Sequence, residues 1–191
     1  MSAPPVLFWS LWGLLIASRL VELRVAHRHT RALLAKGAVE HDARGYRGIV
    51  LLHTAFILAL PLEYLRSPLP SILPLGATIA ALLVVAGAEA LRASAVLTLG
   101  ERWTTRILVL PGSPPVTRGP YRYLRHPNYL AVGLTLAALP LAFGLVATAL
   151  ATSVVNAMLL RRRIRAEEAA LASVSNYQEA LGERPRLLPR L

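Results

Sequence analysis

The chain reads as an all-α integral membrane protein of about five transmembrane helices, the last two forming a C-terminal helical hairpin. Three observations predict this class. Of 191 residues, 55% are hydrophobic and only 16% are charged, against about 25% charged in soluble domains. Mean hydropathy is +0.51, which favours a membrane chain. The apolar residues gather into runs of membrane length, separated by basic segments.

Val6 to Leu20 is the first, short span, and Arg19 at its end has the reach to snorkel to the headgroups. The N-terminus lacks a basic n-region and a small-residue cleavage site, so this run is expected to be retained. Residues 21–47 are polar, carry His27, His29, His41 and Asp42, and predict an interfacial helix. Gly48 to Leu65 is the second span, with His53 inside it as a packing histidine and Glu63 near its far end. Residues 66–71 form a turn, because Pro68 and Pro70 cannot continue a helix. Ile72 to Leu91 is the third span, with Glu89 near its inner end. Residues 92–128 are the longest polar connection, where Trp103 reads as an interface anchor. Residues 129–160 form a 32-residue apolar run. One helix of that length would reach about 48 Å, well past a bilayer core of about 30 Å. Pro140 and Gly144 place a tight turn near its middle. From Arg161 the chain is basic, then amphipathic, and Arg184-Pro-Arg-Leu-Leu-Pro189 ends it. The organisation is residues 1–95 as N-terminal membrane helices and 96–191 as the core.

Charge placement supports the plan. Of 21 Lys and Arg, seven lie in 19–47, six in 92–125 and seven in 161–190, leaving only Arg66 in the turn between spans two and three. Five spans with the N-terminus outside put all three basic segments on the cytoplasmic side of the inner membrane. The hairpin then returns Tyr129 and Arg161 to one membrane face. The net charge of +11 is directed at anionic membrane lipids rather than nucleic acid, because it alternates with apolar spans. Nothing in the pattern calls for an obligate protein partner.

The chemistry concentrates in two stretches. Arg118-Gly-Pro-Tyr-Arg-Tyr-Leu-Arg-His-Pro-Asn-Tyr129 combines a turn at Gly119-Pro120, aromatic faces at Tyr121, Tyr123 and Tyr129, and donors at Arg122, Arg125 and His126. Pro127 keeps His126 off the helix that follows. An interfacial belt of Tyr and Arg fits this composition too. The second stretch is Arg161-Arg-Arg-Ile-Arg-Ala-Glu-Glu168. Arg163 and Glu167 share a helix face at i and i+4, whereas Glu168 is turned about 100° away. A surface ion pair is the plain alternative. No His or Asp completes a ligand set beside the paired carboxylates, so no metal is expected. The chain has no cysteine, which excludes disulfides, thiolate metal sites and a Cys nucleophile. No P-loop, dinucleotide fingerprint or nucleophile elbow is present.

At these residues the sequence resembles the isoprenylcysteine carboxyl methyltransferase family, within the wider group that includes phospholipid methyltransferases. The likeness lies in Gly119-Pro-Tyr121, Arg125-His-Pro-Asn-Tyr129, a short helical hairpin and Arg163-Ile-Arg-Ala-Glu-Glu-Ala-Ala-Leu171, with Tyr177 and 185–189 similar to the closing segment. It covers roughly residues 96–190. Ser113-Pro-Pro115 stands where the family often has a His, and Ala131 where it has a Gly. The resemblance implies a membrane enzyme using S-adenosylmethionine in a cytoplasmic pocket. It implies cofactor contacts at Gly119, Tyr121, Arg125, His126, Asn128, Tyr129, Glu167 and Glu168, with Arg163 and Glu167 at the reaction centre. The acceptor would be lipophilic, such as a prenylated molecule or a long-chain polyketide, methylated on oxygen. If a base is needed, His126, Glu89 and Glu167 are candidates. A sterol-reductase-like NADPH-dependent reductase, a phospholipid N-methyltransferase and a non-catalytic scaffold are the alternatives.

Overall fold

A computed structural model describes residues 5–66 and 74–188 and is 76% helical. The order is α1 (Pro5–Ala35), β1 (Val39–His41), α2 (Ala43–Arg66), α3 (Leu75–Leu99), β2 (Ile107–Val109), α4 (Pro127–Ala142), α5 (Val146–Ala172) and α6 (Tyr177–Leu181). The first three helices are long and apolar enough to cross a membrane, and α4 is a shorter apolar helix. The turn at 67–71 and the expected start of the third span at Ile72 fall outside the described residues.

Four expectations are corrected. The first span and the interfacial segment are one helix of 31 residues, because no Gly or Pro interrupts the chain between Gly13 and Gly37. The third helix runs past Leu91 to Leu99. Arg19 does not snorkel outward: it donates to Glu22 at 2.8 Å and to Glu89 at 3.3 Å. The fold is also not purely helical, since β1 and β2 pair antiparallel with Val39 opposite Val109 and His41 opposite Ile107. Ile107-Leu-Val109 is an apolar triplet with β-branched ends, bounded by Thr104-Thr105 and Pro111-Gly112, a short strand signal.

The hairpin forms where Pro140 and Gly144 placed it. Gly144 adopts φ 73°, a left-handed conformation suited to glycine. The N-terminus of α5 has no cap from its own segment. Instead Glu63 of α2 accepts from the amides of Ala147 at 3.1 Å and Thr148 at 2.7 Å. Two orphan helix donors are thereby satisfied by a carboxylate at the positive end of the dipole.

The main core joins α1, α2, α4 and the hairpin turn through Phe8, Leu52, Phe56, Leu60, Leu136 and Phe143. Phe8 stacks on Tyr64 at 3.8 Å and meets Phe143 edge-on at 5.1 Å. A polar lock lies nearer the other end. Arg92 of α3 grips Glu22 of α1 through Nε at 2.7 Å and Nη2 at 2.6 Å, and Thr135 of α4 donates to Glu89 at 3.0 Å. Glu89 is therefore part of helix packing, and a base at that position is not available to the cavity described below. His53 bonds Ile49 O at 2.9 Å, the packing role expected of it. A second small core of Ile107, Val109 and Ala170 seats β2 on α5.

Candidate active site

A cavity of about 160 Å³ opens at the end of the molecule where β2, the start of α4, the last turns of α5 and α6 converge. Gly119–Arg122 forms a 3-10 turn ahead of it. Gly119, at φ 56°, backs closely onto the Thr98 side chain, so its lack of a Cβ serves packing on α3. Pro127 starts α4 at a position that needs no amide donor, and His126 sits just outside the helix at φ −129° and ψ 58°.

The hairpin brings the two predicted stretches together. Tyr129 donates its hydroxyl proton to Glu167, and Arg163 Nε donates to the same hydroxyl at 2.8 Å. Arg163 Nη2 donates to Thr105 O at 2.7 Å, which fixes the guanidinium plane. His126 stacks on Tyr129 with ring centroids 5.3 Å apart. Its Nε2 donates to Glu168 at 3.2 Å, so in the neutral ring Nδ1 is an acceptor, 4.0 Å from Glu167 Oε2. Burial, with Glu167 and Tyr177 nearby, raises the Tyr121 hydroxyl above its ordinary range and keeps it neutral.

The two adjacent glutamates have separate surroundings. Glu167 lines the cavity, and Glu168 does not. Glu168 instead accepts from Arg125 at 3.1 Å, from His126, and from Arg186 through Nε at 3.1 Å and Nη2 at 2.6 Å. Burial alone would raise its carboxyl, but the His126 and Arg186 hydrogen bonds and the Arg125 charge outweigh burial and hold it at about 2. The same C-terminal strap is laid along the motif backbone. Arg125 N donates to Pro185 O and His126 N to Arg186 O, both at 3.0 Å. Glu168 is thus the anchor of a strap that fixes Arg125 and His126.

Of the sequence-predicted residues, Tyr121, Arg125, His126, Asn128, Tyr129, Arg163 and Glu167 line the cavity, and Gly119 and Glu168 stand behind it. Sequence reasoning missed β2 and Trp103. Trp103 is 3% exposed rather than an interface anchor, and its carbonyl accepts from His29 at 2.8 Å, which takes His29 out of the solvated interface. Its signal was a lone Trp four residues before an apolar triplet.

Seven buried side-chain polar atoms lack a partner among the described residues, and four belong to this cavity's wall: Trp103 Nε1, Asn128 Oδ1, Arg163 Nη1 and Tyr177 Oη. Unpaired buried polar atoms cost about 1–3 kcal/mol each. Four such atoms on residues around one cavity leave unused hydrogen-bonding capacity beside it.

A family model for the isoprenylcysteine carboxyl methyltransferase family matches residues 79–173, a stretch containing both motifs and the hairpin between them. An uncharacterised protein of Bacillus subtilis, YpbQ, is 38% identical over 170 residues, covering 88% of this chain and 99% of the relative. An uncharacterised protein of Haemophilus influenzae is 30% identical over 161 residues, covering 83% of this chain and 91% of the relative. The family is one of membrane methyltransferases, in keeping with the apolar helices. By its motifs, its hairpin and these matches, the chain belongs to the isoprenylcysteine carboxyl methyltransferase family.

Proposed function

We propose that the cavity binds S-adenosylmethionine and that the protein transfers its methyl group to an oxygen of a lipophilic acceptor, a prenylated or long-chain polyketide molecule. In this reading five helical segments cross the inner membrane, the N-terminus lies outside, and the cavity faces the cytoplasm. The observation that carries it is the set of unpartnered buried polar atoms on residues that line one cavity.

The donor and acceptor set fits this cofactor. Asn128 Oδ1, His126 Nδ1 and the carboxylate of Glu167 suit an ammonium group and ribose hydroxyls. Trp103 Nε1 suits a carboxylate or a ring nitrogen, and Arg163 Nη1 is left for the acceptor. The apolar walls of Ile107, Val109 and Leu171 suit the adenine faces and exclude water. The cofactor supplies a methyl carbon on a sulfonium, whose positive charge disappears on transfer. What the protein must add is alignment and dryness. Arg163, clamped by Tyr129 and Thr105, holds the acceptor oxygen. Tyr129 keeps Glu167 from turning away. A carboxylate acceptor needs no base, whereas a phenol or enol passes its proton to Glu167 or His126.

Incubation of the purified protein with radiolabelled S-adenosylmethionine and a lipid extract tests the reading. A labelled, base-cleavable ester or an enol ether is the expected product. Label on nitrogen would make it a phospholipid N-methyltransferase. Calorimetric binding of NADPH without binding of S-adenosylmethionine would replace it with a reductase.

A further inference from the structure

Two sets of arginines on this protein differ in their partners. Arg19, Arg92, Arg106, Arg125 and Arg186 each hold a glutamate. Arg44 and Arg47 of α2 and Arg161, Arg162 and Arg165 of α5 are exposed, and none has an ion pair or side-chain hydrogen bond among the described residues.

Contacts fix the relative height of these two helices. Glu63 of α2 meets Ala147 and Thr148 at the start of α5. Gly48 of α2 lies against Leu159 of α5, where an added Cβ would come within 3.1 Å of Cδ2. The helices are therefore antiparallel, with Gly48 level with Leu159. Arg44 is four residues before Gly48, and Arg162 is three after Leu159. At 3.6 residues per turn both continue the contact stripe, one turn beyond it. Arg47, Arg161 and Arg165 flank them. On the other side of the same level the exposed surface is apolar: Val50 is 43% exposed and Met158 60%. Among the described residues, the carboxylates near this height form no ion pair with the five arginines. Asp42 Oδ1 accepts from Gly45 N at 3.1 Å, Glu40 holds Arg106 and Glu167 holds Tyr129.

Five like charges on facing stripes repel one another, and guanidinium groups bind phosphate in a bidentate manner. Exposed arginines at the end of the helix pair and exposed aliphatic side chains next along it match the polarity profile of a phospholipid. We propose that the exposed arginine-rich end of the α2–α5 pair, around Arg44 and Arg162, binds the phosphodiester headgroup of an anionic phospholipid, whose acyl chains lie along the apolar faces of the same two helices. This site is separate from the cavity and does not depend on the reaction assigned to it.

Native mass spectrometry of the detergent-purified full chain tests this, with phosphatidylglycerol and phosphatidylcholine of identical acyl chains. The expected result is at least tenfold higher retention of phosphatidylglycerol. A basic residue near an anionic surface contributes roughly fivefold, so Arg44→Gln with Arg162→Gln lowers that retention roughly 25-fold. Arg44→Lys with Arg162→Lys retains most of it. Arg118→Gln with Arg122→Gln, an exposed pair bracketing the 3-10 turn, leaves retention within about twofold. Equal retention of the two lipids overturns the proposal, and so does an equal loss in the Arg118/Arg122 pair. Displacement of phosphatidylglycerol by inorganic phosphate overturns it too, by making these arginines a site for soluble anions.

Discussion

Replacing Glu168 with Gln separates an anchor from a cofactor ligand. The substitution keeps the side-chain shape and removes the charge that Arg125, His126 and Arg186 share. A carboxyl held at about 2 instead of 4.5 corresponds to a stabilisation of about 3 kcal/mol at neutral pH. Arg186 is half exposed, so solvent screening reduces this to roughly 1–2 kcal/mol. Because the folded-state value is depressed, the stabilisation is complete above about pH 4.5 and is lost as pH falls toward 2. Thermal unfolding in a neutral detergent measures it. Wild type should exceed Glu168→Gln by roughly 1–2 kcal/mol at pH 7, with the gap closing between about pH 4.5 and 2. Limited proteolysis should also cut the variant's strap at 184–188 faster. A gap that persists at pH 2 would refute the electrostatic account. Unchanged stability with lost binding of S-adenosylmethionine would show that Glu168 is a ligand and not an anchor.

Three further substitutions probe other parts of the structure. Glu63→Ala removes the cap that α2 lends to α5 and should cost about 1 kcal/mol in thermal unfolding; a cost below a few tenths would mean the α5 amides find other partners. Trp103→Phe removes an N–H that no protein atom satisfies, so the free protein should unfold as before while affinity for S-adenosylmethionine, by calorimetry, falls roughly 2- to 10-fold. A clear loss of stability without ligand would contradict the unpartnered state. Glu22→Gln strips the bidentate partner from Arg92 and leaves a buried cation, at a cost of about 3–5 kcal/mol; denaturation with stability intact would show that Glu89 takes over.

Much of the architecture was legible in order along the chain. Run length separated the spans, and the 32-residue apolar stretch with Pro140 and Gly144 could only fold back. The charge distribution favoured the same return, which puts Tyr129 and Arg161 at one end of the hairpin. The continuity of α1 was hidden because a helix can pass from an apolar to a polar segment without a break. The β1–β2 pairing was hidden because three-residue strands exist only through distant partners, as with Glu40 and Leu108.

The sequence by itself determined that Glu167 and Glu168 diverge, since neighbours on a helix differ by about 100°. It did not determine which one meets the cavity. Periodicity gives relative angle, and absolute orientation comes from contacts made across the chain. Arg186 on the strap and Arg125 ahead of α4 converge on Glu168 and claim it. Tyr129, on the opposite arm of the hairpin, turns Glu167 inward. Those partners become neighbours only after the hairpin closes and the C-terminus folds back over it.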